Sequence, residues 1–156
     1  MRVLCCLDGT NIEQLSTTIS SMLRSDALTL GAIYVIDSGP HEEIERQRER
    51  FLRPPRPPMH RQEQMRQADE VSAQDILAEG TRYLSGAEPL KREGRPEREI
   101  VQCAAEWRAD LVVICSRSPG GGRPSLGPKS VGHIARFVLD HAPCPVLLVR
   151  STSAHA

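Results

Sequence analysis

The residues best suited to chemistry in this chain lie between Ser116 and His133. Gly120, Gly121 and Gly122 let backbone amides approach a ligand, Arg117, Arg123 and Lys129 supply positive charge, and Ser130 supplies a hydroxyl. Gly132 and His133 then open a segment of helical spacing whose first N–H groups and partial positive charge favour an anion. The chemistry implied is phosphate binding. No Ser/His/Asp pattern, metal-ligand cluster or carboxylate pair aimed at this loop points to catalysis. Gly122-x-x-x-x-Gly127-Pro128-Lys129-Ser130 approaches a Walker A loop, but Pro128 interrupts it before the lysine. It also follows the fourth strand and contains two prolines that cannot donate N–H to a phosphate, so a P-loop NTPase is not expected.

The elements around that loop form a βαβ unit. Leu111 to Cys115 and Val146 to Val149 are short, uncharged, β-branched runs suited to strands buried on both faces of a parallel sheet. Between them Val131, Ile134, Ala135, Val138, Leu139 and Ala142 recur at helical spacing, with Gly132, His133, Arg136 and Asp140 on the other side. His141 lies near the helix end, where it suits the helix dipole better than catalysis.

At 156 residues the chain is long enough for one self-sufficient domain. Its 20 basic and 20 acidic residues cancel, and only 3% of residues are aromatic. Neither a field that attracts nucleic acid or an acidic membrane nor a stacking platform for single strands is present. The five cysteines, Cys5, Cys6, Cys103, Cys115 and Cys144, show no CxxC spacing and read as buried thiols in a reducing compartment. The apolar start, residues 3–7, is too short for a signal segment, so a cytoplasmic protein is expected.

In chain order, residues 3–7 are a buried strand ending at Asp8-Gly9-Thr10. Thr10 with Glu13 fits a capping box, and Ile12, Leu15, Ser16, Ile19, Met22 and Leu23 make one helix face. Residues 28–36 are the second strand. Residues 41–62 are a charged insertion ending in the polyproline-type connector Arg53 to Pro58. Residues 65–84 form the second main helix, with Val71, Ile76, Leu77 and Leu84 apolar. Residues 87–91 are a third strand, placed at an edge by Pro89, and Pro96 starts a helix that turns Ile100, Val101, Ala104 and Trp107 inward. Five strands alternating with four helices give an α/β, doubly wound parallel sheet in the order 3-2-1-4-5, with helices on both faces. Its ligand crevice falls between the first and fourth strands.

The flanks of the loop, Asp110-Leu111-Val112-Val113-Ile114 and His141-Ala142-Pro143-Cys144-Pro145-Val146, resemble the universal stress protein family, many of whose members bind adenine nucleotides. Asp8-Gly9-Thr10 resembles its Asp-Gly-Ser, in which the carboxylate contacts adenine or ribose, and Tyr34-Val35-Ile36-Asp37 resembles its Val-Ile-Asp, in which the valine lines the adenine pocket. By themselves Asp8 reads equally as a turn residue or N-cap, and Val35 as a buried strand residue. The family's Gly-x-x-Gly, nine residues, Gly-[Ser/Thr] is only half matched. Aligned from the fourth strand its first two glycines fall on Cys115 and Ser118; aligned from the last helix, Gly-[Ser/Thr] falls on Gly132-His133, and nine residues back lies Gly122.

The resemblance implies a single domain over residues 1–150, with 151–156 as a tail, that regulates a stress response without being an enzyme. It implies ATP, or AMP or ADP, held by Asp8, Thr10, Val35, Cys115, Arg117, Ser118, Gly122, Lys129, Ser130, Gly132 and His133. An alternative stays open, a family member that has lost the nucleotide and acts as an interaction module. Val146 to Val149 would be an exposed apolar edge in a monomer, so a homodimer through that strand is expected.

Overall fold

The computed structural model describes residues 1–39, 58–117 and 131–150. The elements are β1 (Arg2–Cys6), α1 (Ile12–Met22), a short 3-10 turn (Ser25–Ala27), β2 (Thr29–Asp37), α2 (Met59–Tyr83), β3 (Glu88–Gly94), α3 (Pro96–Glu106), β4 (Leu111–Cys115), α4 (His133–His141) and β5 (Val146–Val149). All strand pairs are parallel, and the sheet order is β3-β2-β1-β4-β5. This is the doubly wound fold expected. Residues 40–57, which hold most of the charged insertion and the Arg53 to Pro58 connector, lie outside the described residues up to Pro58.

Alternation along β1 explains the two layers. Val3, Cys5 and Leu7 pack beneath α1 and α2 with Ile12, Leu15, Ile19 and Leu77. Leu4 and Cys6 face the other way, against Ile100, Cys103 and Ala104 of α3 and Ala135 and Val138 of α4. Both faces of the strand are therefore dry, and each fully buried Leu or Val contributes about 1.5–3 kcal/mol. Val3, Leu4, Val112 and Val113 are completely buried at the centre. Pro89 lies on the edge strand, paired in register with Ala32, where its missing N–H leaves the inner ladder intact.

Several local expectations are corrected. Thr10 does not cap α1: the N-cap is Asn11, and no side chain bonds the first N–H groups. Thr10 donates both its N–H and its hydroxyl to Asp8 Oδ1, because a carboxylate two residues upstream is a nearer acceptor than the helix start is a donor. α2 begins at Met59, so the expected insertion boundary at residue 62 falls inside a helix. β3 continues to Gly94, paired with β2 along its whole length. Met22, Val71 and Leu139 are exposed, at 63%, 57% and 42%. Met22 ends its helix, and Leu23 packs on the layer in its place. Val71 precedes Ala73, the first buried residue of α2, and α4 seats itself on Ala135 and Val138 instead of Leu139.

The end of the sheet opposite the ligand crevice is fastened through Trp107. Its indole N–H donates to Glu88 Oε2 at 2.9 Å, and Arg2 stacks its guanidinium 4.2 Å from the ring centre while donating Nε–H to Trp107 O. Gly31 lies directly under this ring: a Cβ there would stand 2.9 Å from Cζ2 and 3.1 Å from Cη2. Gly to Ala in a strand normally gains a fraction of a kcal/mol, but here the ring is held from two sides and cannot retreat. Gly31→Ala is expected to destabilise the protein by about 1–3 kcal/mol in urea unfolding; an unchanged midpoint would show that the indole is free to shift.

Candidate ligand cleft between the first and fourth strands

β1 and β4 are neighbours, yet the chain leaves their C-terminal ends toward opposite faces of the sheet, which opens a crevice there. The β1 wall is set by Asn11, a buried polar side chain at 5% exposure. Its Nδ2 donates to Cys6 O and its Oδ1 accepts from Asp8 N, both at 3.0 Å, so strand end and turn are locked to the start of α1. Asp8 Oδ1 is occupied by Thr10 N at 2.7 Å and Thr10 Oγ1 at 2.9 Å; Oδ2 takes neither bond.

On the β4 wall, Ser116 N donates to Val149 O and Arg117 N to Val131 O, so the backbone on either side of residues 118–130 is held together. Gly132 is the N-cap of α4, at φ 87° and ψ 153°. That conformation belongs to glycine, and a Cβ would come 3.1 Å from Arg117 Cβ. The glycine therefore seats Arg117 against the first turn of α4. The Arg117 guanidinium forms no ion pair among the described residues.

The crevice has a volume of about 430 Å³, within the range of small-molecule sites. Its lining is mostly apolar, from Leu7, Ile33, Val35, Ile100, Ile114 and Ile134 among others, with Asp8, Asn11, Tyr34, Arg117 and His133 as polar points. Of the residues singled out from sequence, Asp8, Val35, Cys115, Arg117, Gly132 and His133 all line it. Thr10 does not, being turned to Asp8. Ser118, Gly122, Lys129 and Ser130 lie outside the described residues. Asn11, Tyr34, and Pro96 and Ile100 of α3 were missed. An asparagine directly after a strand-ending turn was the available signal for the first, and a tyrosine at a strand's C-terminal half for the second; nothing local marks the α3 pair.

Electrostatically the walls differ. Burial, with Asp69 and Asp8 nearby, pushes the Tyr34 phenol up, so it stays protonated. Burial raises the Cys115 thiol to about 11, and burial with neighbouring thiols raises Cys6 well above its ordinary value. Both thiols are neutral and poor nucleophiles. At the rim, His133 Nε2 stands 3.9 Å from Glu97 Oε2, with the imidazole exposed and the carboxylate largely covered. Among the described residues no group of three His, Cys, Asp or Glu side chains is placed to hold a metal ion, and no helix is long and apolar enough to cross a membrane. The arrangement suits holding a ligand with an anionic end at α4 and a hydrogen-bonding end at β1 and β2.

Residues 1–150 match the universal stress protein family. A Thermus aquaticus universal stress protein, from the QAH/OAS sulfhydrylase 3′ region, is 34% identical over 86 residues, which cover 55% of this chain and 58% of that protein. The match thus spans little more than half of that relative. The structure of universal stress protein UspA from Lactobacillus plantarum has a TM-score of 0.64 at 22% identity, covering 96% of this chain and 97% of its own. A universal stress protein family protein from Arabidopsis thaliana, solved with AMP bound, has a TM-score of 0.59 at 17% identity, covering 98% and 93%. At these identities the two structures establish a shared fold.

The Cys115 thiol offers a direct check on this cleft. With its pKa near 11, iodoacetamide should alkylate it in the native protein about a hundredfold more slowly at pH 8 than a free cysteine, with the rate climbing about tenfold per pH unit. Peptide-resolved mass spectrometry separates it from half-buried Cys144. Alkylation at the free-cysteine rate would mean that the cleft wall is wetter than described.

Proposed function

The chain belongs to the universal stress protein family, and on that premise we propose that it is a cytoplasmic stress-response regulator that binds an adenine nucleotide, ATP, ADP or AMP, in the cleft between β1 and β4. The observation that carries the reading is Arg117, without an ion-pair partner among the described residues, seated by positive-φ Gly132 at the N-terminus of α4 across an apolar cleft from Asp8. An anion there gains both a guanidinium and the first N–H groups of the helix. In this reading Arg117, Gly132 and His133 meet the phosphates, while Ser118, Gly122, Lys129 and Ser130 complete that side as the family resemblance implies. Asp8, Val35 and Cys115 face the nucleoside. The AMP held by the similarly folded Arabidopsis protein supports the choice of ligand. Neutral thiols and a lone rim histidine favour a binding protein over an enzyme.

The same reading treats residues 1–150 as one domain that pairs with a second copy. β5 has β4 on one side only, and Val146, Leu147 and Leu148 are half-buried, so its outer edge offers unpaired backbone groups flanked by apolar side chains. Light scattering should give about twice the mass of one chain; a mass of one chain would remove this part of the reading.

Nucleotide content tests the ligand. Mass spectrometry of the denatured, purified protein should release an adenine nucleotide, or calorimetry of the emptied protein should show binding below millimolar. Arg117→Ala should weaken it about tenfold, the scale of one charge-assisted contact. Gly132→Asp should abolish it, while costing about 1–3 kcal/mol of stability because aspartate tolerates that backbone poorly. Absence of binding at millimolar nucleotide would turn attention to the alternative, an interaction module; unchanged affinity in both variants would move the phosphates elsewhere.

A further inference from the structure

Two side chains able to cap α1, Thr10 and Asn11, stand at its start, and neither bonds the helix's first N–H groups. Both turn backward instead. The Asn11 amide is engaged by Cys6 O and Asp8 N–H, and Thr10 gives its N–H and its hydroxyl to the same oxygen, Asp8 Oδ1. A helix end left uncapped beside two capping residues forgoes stabilisation, and departures of this kind from local preference gather where a site needs a fixed geometry. The loop is also closed from behind. Gly9 has φ 91°, and a Cβ there would stand 3.2 Å from Ile76 Cδ1 of α2. Asp8 is therefore held at its backbone, at one carboxylate oxygen and at the residue that follows it. Its other oxygen, Oδ2, takes neither Thr10 bond, and Asp8 makes no ion pair among the described residues.

Resting on the nucleotide reading, we infer that Thr10 and Asn11 are positioning residues, which act on the ligand only through Asp8. Asn11 fixes the Asp8 backbone, and Thr10 fixes the rotation of its carboxyl group, so that one oxygen is already committed and the other is left for the ligand. A carboxylate only accepts hydrogen bonds, so Oδ2 takes a hydroxyl or amino hydrogen of the nucleoside. An unrestrained aspartate would lose rotamer freedom when the ligand arrives. Here the turn has ordered it beforehand, and that ordering adds to affinity. Neither residue needs to touch the nucleotide. Thr10 does not line the cleft, and the Asn11 amide, which does, is engaged at both its nitrogen and its oxygen.

The test is a pair of double-substitution cycles on the full chain, read by calorimetry with AMP. Asp8→Ala should weaken AMP about tenfold. Thr10→Val, which keeps the shape and removes the hydroxyl, should weaken it about three- to fivefold, and Thr10→Ser should stay within about twofold of the unaltered chain. Asn11→Ala should weaken it at least as much as Thr10→Val. In an Asp8→Ala background neither Thr10→Val nor Asn11→Ala should change AMP affinity further, because nothing remains to be positioned. Asn11 is buried and its replacement can unfold the chain, so exposed Thr10 carries the decision, with circular dichroism confirming the fold. A purely structural role would lower the unfolding midpoint of the Thr10→Val variant and leave its AMP affinity unaltered, which overturns the inference. A loss that persists in full without Asp8 overturns it too, by making Thr10 or Asn11 a direct contact, as does an Asp8→Ala variant that binds as tightly as the unaltered chain. These three results leave nucleotide binding standing, whereas absence of AMP binding to the unaltered chain removes both readings.

Discussion

The geometry of this protein's cleft depends on one buried amide. Asn11 reaches back to the last carbonyl of β1 and accepts the Asp8 N–H. The end of β1, the turn after it and the start of α1 thus converge on one side chain that is almost wholly enclosed. Removing such a group leaves the buried Cys6 carbonyl without that partner, at a cost of about 1–3 kcal/mol, and frees the part-buried Asp8 N–H. The parallel sheet supplies the crevice, but its strands would tolerate many loop conformations at their ends. The amide selects one of them at the end of β1 and holds that wall in it.

Once the walls are fixed, their chemistry separates. The β4 side combines a guanidinium with the open end of a helix and a glycine that permits their close approach. The β1 side offers the Asp8 carboxylate, with Oδ2 outside the Thr10 bonds. A ligand entering such a field has one favourable orientation, and apolar side chains between the two ends remove competing water contacts. The distinction between holding and reacting follows as well: the thiols nearest the ligand space are neutral because the same apolar lining that encloses a ligand also penalises a thiolate.

Most of the architecture was legible because buried parallel strands announce themselves. The runs at residues 3–7, 111–115 and 146–149 are continuous and apolar, and Pro89 alone placed β3 at the edge, from which the strand order followed. Helix ends were less legible. Thr10 carries a capping signature, and only the competing carboxylate at Asp8 diverts it. Exposed apolar residues such as Val71 follow helical spacing perfectly well; what the spacing lacks is knowledge of where the sheet beneath the helix ends. For the site, Asp8, Arg117 and Gly132 could be found because chain position relative to a strand end predicts the crevice, whereas Val35 came only from the family resemblance. Pro96 and Ile100 reach the crevice through the packing of α3, so neither is visible in local sequence.

The long second helix has a consequence of its own. Its 25 residues span roughly 37 Å, yet the residues from Met59 to Asp69 are exposed on every side, and burial begins only at Ala73. An isolated helical stretch of that length is marginal in water, so its hydrogen bonds lean on the docked half that follows. Opening free energy must therefore rise along the helix, from near zero at Met59 to the global value around Leu77, and amide exchange should record this as a gradient within a single element. The helix is one rod by geometry and two segments by thermodynamics, with the turn at Asp69 and Glu70 as the boundary between them.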